Sequence, residues 1–123
     1  MSTLLAYAAA AVVGAWGVAH AVPVRKVVAG FGKIGADNRR ILVQEWLAEA
    51  FTMWGTAAIV ATVTASGGTD GTRASVYRAA AGLLLALGVL TSLTGARTPV
   101  IWFRICPVLL AGSAGLLLAA SSL

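Results

Sequence analysis

Residues 41–65 read ILVQEWLAEAFTMWGTAAIVATVTA, and the fold turns on how they are read. The stretch is apolar enough to cross a bilayer, yet it carries two carboxylates four residues apart, Glu45 and Glu49. At a rise of ~1.5 Å per residue, about 20 helical residues cross a hydrocarbon core ~30 Å thick. An ionised carboxylate at the centre of such a helix costs roughly 2.5–3.5 kcal/mol on insertion scales. An acid retained there therefore marks a candidate functional site.

The rest of the chain has the same character. Of 123 residues, 59% are hydrophobic and only 11% charged, and the mean hydropathy of +0.90 excludes a soluble domain of this size. Four apolar segments stand out: Thr3–Val24, Ile41–Ala65, Ser75–Gly95 and Val100–Ser121. The expected fold is all-α, a polytopic membrane protein whose residues 1–123 form a single four-helix transmembrane bundle. Ala19-His20-Ala21 has the small-x-small form of a signal-peptide cleavage site. No Lys or Arg precedes Arg25, however, so the basic n-region of a signal peptide is missing and the segment reads as the first span.

Composition also removes several classes of chemistry. Cys106 is the only cysteine, which excludes an intramolecular disulfide and a cysteine-rich zinc site. No metal-ligand cluster, P-loop or Ser-His-Asp pattern is present, and neither a metal nor a cofactor is expected. Gly30-Phe31-Gly32-Lys33-Ile34-Gly35 fits G-x-G-x-x-G, but it follows a membrane helix rather than a strand, so it cannot open a dinucleotide-binding unit. It reads as an interfacial link, with Phe31 and Ile34 dipping inward. The net charge of +5 does not imply nucleic acid, because the basic residues flank the spans.

That flanking charge predicts an orientation. With four spans, Arg25, Lys26, Lys33, Arg39, Arg40 and Arg97 fall on one side with Asp37, whereas the other side holds Arg73 and Asp70, with Arg78 one turn inside the third span. The positive-inside rule makes the first side cytoplasmic and places both termini outside. Residues 66–72, SGGTDGT, are turn chemistry and read as the connector on the second side. Asp37 suits the N-cap of the second long helix. Ala10 with Gly14, and Ala111 with Gly115, have the spacing at which small residues let helices approach closely, within the chain or in an oligomer.

The unusual residues converge at one depth, near the basic face. They are His20 from the first span, Gln44, Glu45, Trp46 and Glu49 from the second, Thr91, Ser92 and Thr94 from the third, and Trp102 and Arg104 from the fourth. A 3.6-residue repeat puts Glu45, Glu49, Thr52 and Thr56 on one stripe, expected to face inward. Counted from Ile41, Glu45 lies roughly 6 Å and Glu49 roughly 12 Å below the boundary, and Arg104 counted from Val100 lies roughly 6 Å below it. Matching depth predicts an ion pair between Glu45 and Arg104. Glu49, deeper, is then the group free to give or take a proton, with His20 as a second relay near neutral pH.

The candidate catalytic set is thus Glu49, Glu45, His20 and Arg104, and the candidate ligand-lining set Trp46, Trp102, Thr52, Gln44 and Ser92. Trp46 and Trp102 also suit interfacial anchoring, while Trp16 and Trp54 read as packing residues. Pro107 removes a backbone N–H in the first half of the fourth span and is expected to kink it beside Arg104, opening a pocket.

The order of His20, then Asp37-Asn38-Arg39-Arg40-Ile41 leading to Glu45-Trp46 and Glu49, then Phe103-Arg104-Ile105-Cys106-Pro107, resembles a family of small four-span bacterial membrane proteins with no assigned activity. The resemblance covers nearly the whole chain and implies a four-helix fold. In length and span number the layout is also similar to DoxX-like proteins. Sterol isomerases of the emopamil-binding type offer an architectural analogy, carboxylates and aromatics within a small bundle moving protons on a lipophilic substrate. The first functional expectation is accordingly acid/base binding or conversion of a lipophilic small molecule. A small proton-coupled transporter and an accessory subunit of a membrane complex are the alternatives. The expected partners are the lipid bilayer and that molecule, with a homo-oligomer left open.

Overall fold

A computed structural model describes all residues from Met1 to Leu123, and every regular element in it is helical. Helix α1 covers Ser2–Ala21, α2 Val24–Ala29, α3 Ala36–Ala65, α4 Asp70–Leu93 and α5 Ile101–Ser122, with a single 3₁₀ turn at Gly95–Arg97. Helices α1, α3, α4 and α5 are each long and apolar enough to cross a membrane, and they pack as a bundle. This is a multi-pass integral membrane protein.

Local chemistry sets the helix ends, and in several places moves them from where hydropathy alone puts them. Pro23 follows α1 closely; Val22 N–H still closes onto the Val18 carbonyl, and the chain restarts as α2 when Val27 N–H bonds the Pro23 carbonyl. The basic-side link thus contains a short helix, with Arg25 and Lys26 exposed and Val28 buried. Helix α3 begins at Ala36 with Gly35 as N-cap, so Asp37 does not cap it. Asp37 lies in the first turn and meets Arg40 Nη1 at 3.2 Å, favourably placed toward the positive end of the helix dipole. Part of the connector expected over 66–72 is helical. Thr69 caps α4 by accepting the Thr72 N–H at 3.3 Å, which lets the helix start at Asp70 instead of near Ser75. Gly67, at φ +64°, supplies the left-handed residue that ends α3.

Helix α1 packs along both α3 and α5, and α5 packs along α4, whereas α3 and α4 share only a small interface. Near their connecting loop the Thr64 and Tyr77 hydroxyls meet at 2.7 Å. The core is built from Ala6, Ala9 and Val13 of α1, Met53 and Val60 of α3, Ala81 and Leu84 of α4, and Leu110, Ala114 and Leu117 of α5. Lipid is as apolar as these side chains, so burial itself supplies little drive. Dispersion contacts between closely approaching backbones hold the bundle, which explains the alanines and glycines at the seams. One of the small pairs works inside the chain: Ala10 is buried, and a Cβ at Gly14 would lie 3.6 Å from Ala57 Cβ. Ala111 and Gly115 instead lie on the exposed face.

Helix α5 runs uninterrupted through Pro107. The groove beside this proline lies between α4 and α5, lined by Leu85, Gly88, Val89, Ser92 and Pro107, and does not include Glu49. The groove does not include Arg104 either, but it does include Ser92, one of the polar residues of that level.

Candidate functional site

The site starts from the end of α1. His20 is the next-to-last residue of that helix, so its carbonyl is among the four that have no partner within the helix. Trp46 of α3 supplies the partner, its indole N–H donating to the His20 carbonyl at 2.6 Å. The same indole lies flat on the imidazole, with ring centroids 4.1 Å apart and planes 11° from parallel. Phe103 of α5 closes the other side of Trp46 edge-on at 5.9 Å. Backbone and ring contacts together hold the imidazole in one plane.

Glu49 lies three residues beyond Trp46 on α3, hence on nearly the same face. Its Oε2 is 3.4 Å from His20 Nε2, within ion-pair distance but without the alignment of a hydrogen bond. The His20 side chain is 9% exposed and that of Glu49 26%. His20 Nε2 and Glu49 Oε1 are both buried without a hydrogen-bond partner. A proton on this pair can sit on the imidazole or on the carboxylate, and in both forms the pair as a whole is neutral. Moving that proton from one group to the other leaves the net charge of the bundle unchanged.

A second polar contact approaches from α5. Cys106 is buried, and its Sγ accepts the Trp16 indole N–H at 3.2 Å. Trp54 donates to the Gly14 carbonyl at 3.2 Å. Three of the four tryptophans therefore tie one helix to another through the indole N–H, a role that the sequence reading did not give to Trp16 or Trp54.

The ion pair expected between Glu45 and Arg104 is absent. Glu45 is exposed and accepts from the Gln44 amide at 3.3 Å, while Arg104 is exposed and donates from Nε to the Thr98 carbonyl at 3.2 Å. Equal depth did not bring them together, for two reasons. At about 100° per residue, Arg104 lies roughly 200° around α5 from the buried Cys106 and so faces outward. Helix α1 ends level with Trp46 and Glu49, and the turn of α3 that carries Gln44 and Glu45 projects past it, uncovered.

The remaining candidates fare similarly. The expected inward stripe is exposed at Glu45, half-buried at Glu49 and Thr52, and buried only at Thr56. Thr52 and Thr56 donate to the carbonyls of Ala48 and Thr52, one turn back in their own helix. Ser92 is bonded in the same way to the Gly88 carbonyl, at 2.7 Å. Gln44 is exposed, and so is Trp102, at 64%. Of the residues singled out, the fold gathers His20, Trp46 and Glu49, and adds Phe103.

No protein-family model matches the chain, and no curated protein or solved structure matches it.

Proposed function

We propose that this integral membrane protein binds a lipophilic small molecule at the His20–Glu49 pair and moves a proton on it, as an isomerase, cyclase or hydrolase would. The observation that carries the reading is the pair itself, two titratable groups 3.4 Å apart that each leave a buried polar atom unpartnered. Leaving such an atom unsatisfied costs about 1–3 kcal/mol, which a ligand bonded to it would recover. A hydroxyl or carbonyl oxygen seated between His20 Nε2 and Glu49 Oε1 would satisfy both. The Trp46 indole, backed by Phe103, would form the aromatic wall against which the apolar part of that molecule rests. Glu49 and His20 would act as the acid and base, and Trp46 as the group that orients the imidazole.

For the topology, we place the exposed Arg25, Lys26, Lys33, Arg39, Arg40 and Arg97 in the cytoplasm and both termini outside, supported by the charge asymmetry of the loops. The site then belongs to the cytoplasmic half of the bilayer.

The test compares wild type with Glu49→Gln, both purified from membranes. Native mass spectrometry should find a lipophilic molecule retained by the wild type and lost from the variant, while the thermal midpoint moves little. With a substrate in hand, turnover should fall by roughly 10²- to 10⁴-fold, the usual contribution of a general acid or base. Equal retention by both proteins would remove Glu49 from the site. Flux that depends on a pH gradient in liposomes, abolished by the same substitution, would turn the assignment to proton-coupled transport.

A further inference from the structure

Arg97 and Arg104 have no carboxylate within ion-pair distance; Arg97 ends the 3₁₀ turn, and Arg104, in the first turn of α5, reaches back to that turn's next residue. Thr98 N–H and Thr98 Oγ1 both donate to the Gly95 carbonyl, at 3.0 and 2.7 Å, which folds residues 95–98 back on themselves. Gly95 in turn rests against Phe103, where a Cβ would meet the ring carbon Cγ at 3.5 Å. The turn is thereby laid on the start of α5. Arg104 Nε then donates to the carbonyl of Thr98, the residue next to Arg97, and this bond fixes the guanidinium while leaving its two terminal nitrogens free.

Both guanidinium groups are exposed, and beside them Ile101 and Trp102, at 57% and 64% exposure, give the start of α5 an apolar, lipid-facing surface. Trp102 marks the headgroup level, where an indole favours the boundary between lipid and water. An arginine fork matches phosphate oxygens in geometry, and its charge needs a counter-ion at this depth. The protein supplies none, because Glu45 is turned toward Gln44 and Asp37 toward Arg40.

We propose that Arg97 and Arg104 bind the phosphate of an anionic phospholipid whose chains lie along Ile101 and Trp102. Two cations facing one phosphate leave a net positive charge, which repels a choline headgroup and accepts a glycerol headgroup. The discrimination is therefore for phosphatidylglycerol over phosphatidylcholine. This site is separate from the His20–Glu49 pair and does not depend on the function proposed for that pair.

The experiment places the full chain in bilayer nanodiscs containing equal amounts of phosphatidylglycerol and phosphatidylcholine. Native mass spectrometry then counts the lipids that remain bound on release. Wild type should retain phosphatidylglycerol preferentially; Arg97→Gln should lower that preference about 5-fold and the Arg97→Gln, Arg104→Gln pair about 25-fold, the scale set by the surface attraction of one and two basic residues to anionic lipid. Arg39→Gln removes an exposed basic residue on the same side of the bundle and should leave the preference unchanged. Equal retention of the two lipids by wild type would overturn the assignment, as would an equal loss in Arg39→Gln, which would mean that overall charge and not this turn selects the lipid. Displacement of the bound lipid by millimolar inorganic phosphate would show a free-anion site and overturn the lipid as occupant. Arg97→Gln alone changes only an exposed turn residue, so the proposal can still be tested if the double variant fails to fold.

Discussion

The two long helix seams, α1 against α3 and α4 against α5, are built on different principles. Between α1 and α3, indole N–H groups reach across to backbone carbonyls at His20 and Gly14, and His20 faces Glu49. Between α4 and α5, the buried residues are mostly apolar, among them Ala81, Leu84, Leu110, Ala114 and Leu117, with Ser113 a buried hydroxyl, and the polar side chains Thr91, Ser92 and Thr94 bond carbonyls of their own helix. Few polar contacts cross this second seam: Arg78 reaches Ser121 near the end of α5, and Thr91 lies beside the Cys106 thiol. The first seam is specified by directional bonds to particular atoms, the second by shape. The proton exchange we propose for His20 and Glu49 suits the first seam, because such a pair must be held in a fixed relative direction.

Placing one methyl group in the first seam gives the largest expected change. A Cβ at Gly17 would lie 2.7 Å from Trp54 Nε1, 2.8 Å from Trp54 Cδ1 and 3.2 Å from Met53 Cβ. Gly17→Ala therefore pushes the Trp54 indole off the Gly14 carbonyl and separates α1 from α3. The expected cost is about 2 kcal/mol, in the range for overpacking a close-packed interior. Thermal or denaturant unfolding in mild detergent would measure it. A variant as stable as wild type would show that the seam is as adaptable as the other one.

Much of this contrast was out of reach of the sequence. Hydropathy and segment length mark four spans, because each needs only enough apolar residues to cross the bilayer. The sequence groups His20 and Glu49 in one polar layer near the basic face, and their side chains do lie 3.4 Å apart. Depth counting fails for Glu45 and Arg104. It gives height along the bundle but neither the direction around the helix nor the point at which a neighbouring helix ends. The partners of Trp16 and Trp54 were hidden for a related reason: a backbone carbonyl carries no residue-specific signal, so which one an indole meets is known only once the helices are paired. Gly14 and Gly17, spaced to admit a large side chain from the facing helix, were the available clue. Helix ends moved where a single side chain decided them, as Thr69 does for α4.

Trp46→Phe is the intermediate case. The ring remains, so stacking on His20 and the edge contact to Phe103 are largely kept, but the bond to the His20 carbonyl is lost. Interhelical hydrogen bonds within membranes average about 0.6 kcal/mol and reach about 1.7 kcal/mol; a bond to an otherwise unpaired helix-end carbonyl belongs near the top, so about 1 kcal/mol is expected. The sharper readout is the imidazole. Nitrogen-15 NMR of His20 should show it sampling more than one environment in the variant, whereas an unchanged, single environment would mean that stacking alone orients it.

The smallest effect is expected from the same methyl group placed in the second seam. Gly88 is buried on α4, and a Cβ there would lie 3.7 Å from the Pro107 carbonyl oxygen and 3.8 Å from Leu110 Cβ, both ordinary van der Waals distances. The added methyl fills space that is already open, and alanine is the better helix former by up to ~1 kcal/mol in water. Dispersion contact and propensity both favour alanine, and the small strain of accommodating it opposes them, so Gly88→Ala should stay within about 0.5 kcal/mol of wild type. The carbonyl that accepts from Thr91 and Ser92 is backbone and is retained. A loss as large as that of Gly17→Ala would mean that α4 and α5 are fitted as tightly as α1 and α3. The division between a seam held by directional bonds and one held by shape would then fail, because both would be limited by the same steric tolerance.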